Sequence, residues 1–167
     1  LQAELAHARQ LAIVGGGFVG AEVASTARGL GLEVVTMLEA GETPFATVLG
    51  SEVGALLAGR YRRQGVDLRT AALAAGFRAN GAGRVRGIEL ADGSLVPCDV
   101  VLVAVGVEPE RSLAVETARV HVAGDAAGGP GHWTSAAADG VAAARRILGL
   151  EPLPVQAPFF WSDQFGL

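Results

Sequence analysis

The sequence lacks three features that mark other classes of protein. Its 167 residues include one cysteine, so no internal disulfide can form and we expect a reducing, cytoplasmic setting. The apolar stretches 11–21 and 100–107 fall well short of the roughly 20 residues that cross a bilayer, so we expect no membrane segment. Basic charge is not in excess, since 13 basic residues face 17 acidic ones, and this balance argues against nucleic-acid binding. No charged-then-apolar segment opens the chain, so we expect no secretory leader.

What the sequence does contain is a series of apolar segments typical of a buried α/β core. Half of the residues are hydrophobic, and the length suits one ordinary domain, or one domain with pieces of another. A short leading helix or linker within residues 1–9 comes first. We then predict strands and helices in alternation, with strands at 11–14, 34–38 and 66–68 and helices at 18–30 and 51–64.

Each predicted helix carries large apolar residues at helical spacing, which we expect to pack on the sheet. These residues are Val19, Val23, Ala27 and Leu30 in the first helix, and Val53, Leu56, Leu57 and Tyr61 in the second.

The next segment changes to strand patterns broken by tight turns. Segments 73–79 and 85–90 flank the turn sequence NGAG, and Asp92-Gly93 makes a further turn before Leu95. These signals predict an antiparallel meander inserted into a parallel fold. Residues 99–105 then return to a wholly apolar strand.

Beyond Gly106 the pattern is incomplete. The chain passes from a turn to a strand in about a dozen residues, fewer than the crossover between two parallel strands requires. This shortage indicates that residues are missing between Arg111 and Val120. A helix of small residues at 139–148 and a proline-rich linker at 151–158 follow.

Three glycines stand where the first predicted strand meets the first predicted helix. Gly15, Gly17 and Gly20 form G-x-G-x-x-G, which in this context is the pattern of a dinucleotide-binding turn. Gly15 permits the sharp turn, Gly17 lets the backbone approach a diphosphate, and Gly20 lets the helix pack closely on the strand. The diphosphate is expected at the positive end of the helix dipole.

Glu39 follows the second predicted strand, 19 residues beyond Gly20. Its carboxylate can accept hydrogen bonds from the ribose hydroxyls of adenosine, whereas a 2′-phosphate would meet like charge. No arginine occurs in residues 40–48 to relieve that repulsion, so NAD(H) is favoured over NADP(H). The alternative is a purely structural turn, with Glu39 as an ordinary solvated strand end.

An ordered set of motifs carries a resemblance to a known family. The motifs are VGGGFVGAEVA, VTMLEAGETPF, DGSLVPCDVVLVAVGVEP, VHVAGDAA and FFWSDQFG. With them, nearly the whole chain resembles the FAD-dependent pyridine nucleotide-disulfide oxidoreductases of the ferredoxin and rubredoxin reductase type. Such flavoproteins supply electrons to bacterial oxygenase and P450 systems.

The resemblance implies an α/β fold, in which a Rossmann-like parallel sheet with an inserted antiparallel β-meander is joined to part of a second, FAD-type α/β domain. The first glycine fingerprint of the FAD domain is absent, and a family member has roughly 20 more residues in the short crossover. The chain is therefore interpreted as a fragment. Its expected parts are a linker or leading helix at 1–10, an NAD(H)-binding domain at 11–105, an incomplete second FAD segment at 106–150, and a linker with the start of an interface domain at 151–167.

The resemblance also implies cofactor-binding residues. Glu22 is similar to the family glutamate beside the nicotinamide, with a solvated first-turn glutamate as the alternative. Val105 and Gly106 resemble the strand end against which NAD lies, although a simple tight turn explains them equally well. The residues expected around NAD(H) are Gly15, Gly16, Gly17, Phe18, Val19, Gly20, Glu22, Glu39, Ala40, Pro44, Val105 and Gly106.

Three further residues are expected near FAD. Gly124 and Asp125 match the family's GD pair, whose aspartate accepts a hydrogen bond from a ribityl hydroxyl; a strand-end turn is the alternative. Trp133 corresponds to a tryptophan near nicotinamide and flavin, with His132 where the family commonly has an acidic residue.

The function implied by the resemblance is transfer of a hydride from NADH to FAD and of single electrons to a ferredoxin-like or rubredoxin-like partner. No catalytic side chain or metal ligand is predicted, and the fragment alone is expected to be inactive. An NADH oxidase or nitrite reductase-type flavoprotein, and a stand-alone NAD(H)-binding module that catalyses nothing, are the alternatives. Arg60, Arg62 and Arg63 are either a solvated helix face or a surface for an acidic partner.

Overall fold

The computed structural model describes residues 1–112, 115, 117, 119–129, 131–154, 157, 159 and 161–166. They form two compact units. The first comprises residues 1–106 and the described residues after Trp161, and the second comprises the described residues from 107 to 161. Among all of these residues, no helix has the length and apolar content that a membrane span needs.

The first unit follows the predicted alternation of strands and helices. The short leading helix predicted within residues 1–9 forms as α1. In chain order the elements are α1 (Gln2–Leu5), β1 (Gln10–Val14), α2 (Phe18–Gly29), β2 (Val34–Leu38), α3 (Ala46–Leu49), α4 (Ser51–Arg63), β3 (Val66–Arg69), β4 (Ala74–Ala79), β5 (Val85–Leu90), β6 (Leu95–Pro97) and β7 (Val100–Val103).

Two sheets result from these strands. The four-stranded sheet has the order β3-β2-β1-β7, with every neighbouring pair parallel and Leu11 in register with both Val35 and Val100. The three-stranded sheet, in the order β4-β5-β6, is antiparallel. The predicted parallel fold with an inserted meander is therefore confirmed.

The parallel sheet is covered on both faces, which explains why its strands lack an alternating pattern. Leu11 and Ile13 belong to a core cluster with the helices, whereas Ala12 belongs to a second cluster with residues of the meander. Cys98 lies in this second cluster and is buried. Its burial, with the nearby Asp99 charge, raises the pKa of the thiol to about 11, as expected for a packing residue.

The helices bury the predicted faces only in part: Ala27 and Tyr61 are buried and Val23 and Leu57 pack against the core, but small residues take the other buried positions. On α2 the buried residues are Gly20, Ala21, Ala24 and Ala27, and on α4 they are Gly54, Ala58 and Tyr61. Val19 is 59% exposed and Leu56 is 74% exposed, and Leu30 and Val53 are exposed as well. Small residues face the sheet because they let the helix backbones approach it closely. A Cβ atom on Gly20, for example, would lie 3.2 Å from Ile13 Cγ2 of β1.

The C-terminal segment, Ser162–Phe165, packs across α2 and α4 of the first unit. The Phe165 amide donates to Ser25 Oγ at 2.8 Å, and Arg60 Nη2 donates to the Phe165 carbonyl at 2.5 Å. Arg60 is therefore half-buried rather than fully solvated as predicted. Within 158–167, where the resemblance places the first strand of an interface domain, no strand forms at the described positions; residues 158, 160 and 167 lie outside the described part of the chain.

The second unit contains a 3-10 helix, Gly124–Ala127, and the helix α5, Trp133–Ile147. α5 begins six residues before the predicted helix at 139–148. The prediction of a strand just before Gly124 is wrong. The described residues between Arg111 and Gly124 form an isolated β-bridge between Thr117 and Val120. A strand needs a neighbour for its backbone groups, and the described residues of this unit supply none.

Tyr61 provides a test of how the C-terminal segment packs. Its hydroxyl donates to Gln164 Oε1, its ring lies 5.8 Å from that of Phe165, and burial raises its pKa to about 12. Between about pH 10 and 12 the unfolded chain loses this proton while the folded chain keeps it, so stability should fall as pH rises. Because Tyr61 is the single tyrosine, phenolate absorbance should titrate with a midpoint near 12 in folded protein.

Tyr61→Phe is the control for that titration. It should lack the phenolate signal and lose less stability over the same pH interval. A midpoint at the ordinary tyrosine value of about 10 would show that the hydroxyl reaches solvent.

Candidate functional site

The candidate site lies at the carboxyl edge of the parallel sheet, where β1, β2 and β7 all end. The Gly15 amide donates to the Leu38 carbonyl at 2.8 Å, and the Ala104 amide donates to the Val14 carbonyl at 2.8 Å. These bonds hold the three strand ends together. The loops that follow them carry the residues predicted for NAD(H), in the crevice where open α/β sheets bind ligands.

Two glycines of the turn after β1 have no room for a side chain. Gly15 has a φ of +107°, and a Cβ atom there would lie 2.3 Å from the Ala104 carbonyl oxygen. A Cβ atom on Gly20 would lie 2.1 Å from the Gly15 carbonyl oxygen. The sharp turn and the close packing of α2 on β1 therefore both require glycine.

Gly17 instead faces open space. It caps α2 without a side chain, and a Cβ atom there would meet nothing within 4 Å. The first bond within the helix is donated by the Ala21 amide to the Gly17 carbonyl at 2.9 Å. The preceding amides of the first turn have no helical carbonyl to bond. An open helix N-terminus of this kind binds anions such as a diphosphate.

Glu39 joins this turn to the loop after β2. Its Oε2 accepts a hydrogen bond from the Gly16 amide at 3.0 Å, and its Oε1 accepts one from the Gly41 amide at 2.7 Å. The carboxylate is therefore not the freely solvated strand end of the alternative interpretation. Each carboxylate oxygen has a further lone pair, so the group can still accept bonds from ribose hydroxyls.

Arg69, which lies beside Glu39, already has a side-chain partner. The Glu39 amide donates to the Arg69 carbonyl at 2.9 Å. The Arg69 guanidinium, however, is bonded to Asp67 Oδ2 at 2.8 and 2.9 Å. An arginine that is already paired is a poor partner for a 2′-phosphate.

The loop after β2 is packed beneath the glycine turn. Pro44 is fully buried and would lie 3.2 Å from a Cβ atom on Gly16, so its side chain supports the loop and presents no surface to a ligand. Phe45 adopts a left-handed conformation with φ of 60°, and its ring lies 4.7 Å from the ring of Phe18. Ala40 is exposed at the start of this loop.

Other predicted residues line the same edge with exposed side chains. Val105 is 69% exposed, and Gly106 has a φ of +106° with open space around it. Both follow β7, so they lie on the opposite side of the glycine turn from Glu39 in the strand order. Val19 on the first turn of α2 is exposed as well.

Glu22 is hydrogen-bonded to the C-terminal segment, a contact that no pattern in the sequence predicts. Ser162 Oγ donates to Glu22 Oε1 at 2.6 Å, and Gln164 Nε2 donates to Ser162 Oγ at 2.7 Å. The alternative interpretation, in which Glu22 is a solvated glutamate of the first helical turn, is therefore wrong. No sequence signal links residues 140 positions apart.

The residues expected near FAD belong to the second unit. Asp125 is exposed, and its carboxylate makes no hydrogen bond within the described part of the chain, so it suits a ribityl hydroxyl. Trp133 is 71% exposed and contacts Trp161 edge to face at 5.4 Å. Gly124 begins a four-residue 3-10 helix with φ of +66°. These residues offer single contacts to a flavin.

Over the ranges that the structure describes, no three histidine, cysteine, aspartate or glutamate side chains are grouped closely enough to hold an ion.

Comparison with known proteins identifies the family. A family model described as pyridine nucleotide-disulphide oxidoreductase matches residues 1–124. The chain belongs to the pyridine nucleotide-disulphide oxidoreductase family. This match covers β1 to β7 and therefore all of the residues predicted for NAD(H).

Curated relatives in this family are reductase components of oxygenase systems. The biphenyl dioxygenase system ferredoxin–NAD(+) reductase component of Paraburkholderia xenovorans is 46% identical over 114 residues, 68% of this chain and 27% of the relative. The benzene 1,2-dioxygenase system ferredoxin–NAD(+) reductase subunit of Pseudomonas putida is 34% identical, over 94% of this chain and 44% of the relative.

Solved structures in the comparison agree with the fold. A ferredoxin reductase from Rhodopseudomonas palustris has a TM-score of 0.84 at 28% identity, and covers 98% of this chain and 47% of that one. The putidaredoxin reductase of a covalent complex with putidaredoxin has a TM-score of 0.79 at 26% identity, over 94% of this chain and 44% of that one.

This pyridine nucleotide-disulphide oxidoreductase chain spans less than half the length of these relatives. The alignment with the benzene dioxygenase subunit also runs over 184 residues, more than the 167 of the whole chain. That relative therefore has residues without a counterpart here. Their predicted place, between Arg111 and Val120, stays a prediction.

The glycine turn can be tested by adding one methyl group. Gly20→Ala would push a Cβ atom into the Gly15 carbonyl, which lies 2.1 Å from its position, and should lower the free energy of unfolding by about 2 kcal/mol. Urea denaturation measures this loss.

The matched control is Gly29→Ala at the other end of α2, where a Cβ atom would meet nothing within 4 Å. That variant should be as stable as the wild type, or more stable by up to about 1 kcal/mol. Equal stability of the two variants would contradict the close packing of α2 on β1.

Proposed function

We propose that this chain is the NADH-binding portion of an FAD-dependent ferredoxin reductase. The proposal depends on one observation: the open N-terminus of α2 at Gly17 lies next to the Glu39 carboxylate, which accepts a hydrogen bond from the Gly16 amide. The first binds a diphosphate and the second binds the adenosine ribose. The names of the relatives, which are ferredoxin–NAD(+) reductase components, support the same assignment.

The first unit has a defined task in this proposal. The amides of the glycine turn hold the diphosphate, Glu39 fixes the adenosine ribose, and the exposed residues Val19, Val105 and Gly106 border the space for the rest of the ligand. Glu22, one helical turn beyond the diphosphate, contacts the nicotinamide half. The negative charge of Glu39, with Arg69 already paired, favours NADH over NADPH.

The chemistry itself belongs to the flavin. When bound, FAD supplies a centre that accepts two electrons as a hydride and passes electrons on singly. In the second unit, Gly124, Asp125 and Trp133 are the residues of this chain that would contact it. No side chain of the chain is needed as a nucleophile or general base, because the protein contributes binding, orientation and exclusion of water.

The electron acceptor proposed for the whole protein is a ferredoxin-like or rubredoxin-like iron–sulfur protein. Support comes from relatives that are named as ferredoxin reductases and from the structure of a reductase bound to putidaredoxin. Arg62 and Arg63 on α4 are exposed and offer positive charge to an acidic partner of this kind. The cytoplasmic location expected from the single cysteine stays a prediction.

A second candidate function is an NAD(H)-binding module that catalyses nothing. It is favoured by one observation: every residue proposed for NAD(H) lies within residues 1–106, which belong to the first compact unit.

The two candidates differ in a visible property. Protein purified from its complete reading frame should be yellow and should lose its flavin absorbance when NADH is added without oxygen. Colourless protein that still binds NADH would instead support the binding module.

Glu39→Ala tests the dinucleotide site directly. Loss of a charged acceptor should weaken NADH binding about tenfold or more, as measured by calorimetry. Wild-type protein should also bind NADH more tightly than NADPH.

Glu42→Ala is the matched control, because Glu42 is an exposed carboxylate on the same loop and removes the same charge. Its NADH affinity should stay within about twofold of the wild type. Equal losses in the two variants would show that net charge, and not a bond from Glu39, governs binding.

A further inference from the structure

A directed chain of hydrogen bonds runs from the core of the first unit to Glu22. The Tyr61 hydroxyl donates to Gln164 Oε1, Gln164 Nε2 donates to Ser162 Oγ, and Ser162 Oγ donates to Glu22 Oε1. Tyr61 is completely buried and Gln164 is 6% exposed. The chain therefore starts at a rigid point and ends on a carboxylate beside the glycine turn.

The direction of this chain follows from the donors available. Ser162 has one hydroxyl proton, and the bond from Gln164 occupies it as an acceptor, so its own proton goes to Glu22. Gln164 has both amide atoms engaged, which fixes the orientation of its amide group. The result is one hydrogen-bond pattern that holds one oxygen of Glu22.

The other oxygen of Glu22 is left for a ligand. Among the described residues, none donates a hydrogen bond to Glu22 Oε2. Glu22 lies four residues after Phe18, the first residue of α2, which places it about 6 Å along the helix from the amides that bind the diphosphate. A fixed acceptor there suits a ligand group that carries an N–H donor, such as a carboxamide.

We propose that Ser162, together with Gln164 and Tyr61, is a positioning residue that holds the Glu22 carboxylate for the nicotinamide half of NADH. The proposal rests on the function proposed above. It assigns the C-terminal segment a part in ligand selection, although this segment lies more than 120 residues beyond Glu39 in the chain. Ser162 acts through Glu22 and does not itself touch the ligand.

The test compares two serines that attach the same segment to the same helix. Ser162 donates to Glu22, whereas Ser25 accepts from the Phe165 amide and makes no bond to Glu22. Calorimetry measures the affinities of Ser162→Ala and Ser25→Ala for NADH and for ADP-ribose, which lacks the nicotinamide. Thermal unfolding of both variants records any loss of stability.

Ser162→Ala should weaken NADH binding about fivefold, the effect of one lost hydrogen bond, and should leave ADP-ribose binding within about twofold. Ser25→Ala should leave the ratio of the two affinities unchanged. In a Glu22→Ala background, Ser162→Ala should cause little further loss of NADH affinity, because the bond from Ser162 to Glu22 is already absent.

Tyr61→Phe, which keeps the ring and removes the first donor, should shift the affinity ratio in the same direction by a smaller factor. If Ser162→Ala fails to fold, the affinity ratio of the Tyr61→Phe variant tests the proposal instead. Equal effects of Ser162→Ala on both ligands, or no effect on either, would overturn the positioning role. Wild-type protein that binds neither ligand would instead overturn the proposed function, and this inference with it.

Discussion

The Glu39 carboxylate, shared between the Gly16 and Gly41 amides, is the constraint on which the candidate site depends. The side chain stands at the end of one strand and bonds the turns that follow two strands. Because parallel strands end at a common edge, a single carboxylate can fix both loops. Each of these amides would otherwise need another partner. The carboxylate therefore stabilises the two loops and is also the group proposed to bind the ligand.

The parts of the fold that sequence could predict are those specified by local signals. The bounds of β2 agree with prediction residue for residue, and the meander was indicated by its turn residues. A glycine-rich turn between a strand and a helix is likewise a short-range pattern, since each glycine answers a steric demand within a few residues. Glu39 was found because it follows directly on a buried strand.

The parts that could not be predicted depend on distant contacts. Hydrophobic spacing assumes that the largest apolar residues face the core, but α2 and α4 turn Gly20, Ala24 and Ala58 inward. For the packing of these helices, close approach of the helix backbone to the sheet matters more than the apolar area of any one side chain. The bond from Ser162 to Glu22 spans 140 positions, and no composition or periodicity reports on a pair so far apart.

The alanine-lined seam between α2 and the sheet has a consequence for the ligand. Ala21, Ala24 and Ala27 set how closely the helix packs on β1 and β2, and the amides proposed for the diphosphate lie at the N-terminus of the same helix. A substitution in this seam that moves the helix away from the sheet would therefore move those amides too, although it changes no atom near the crevice.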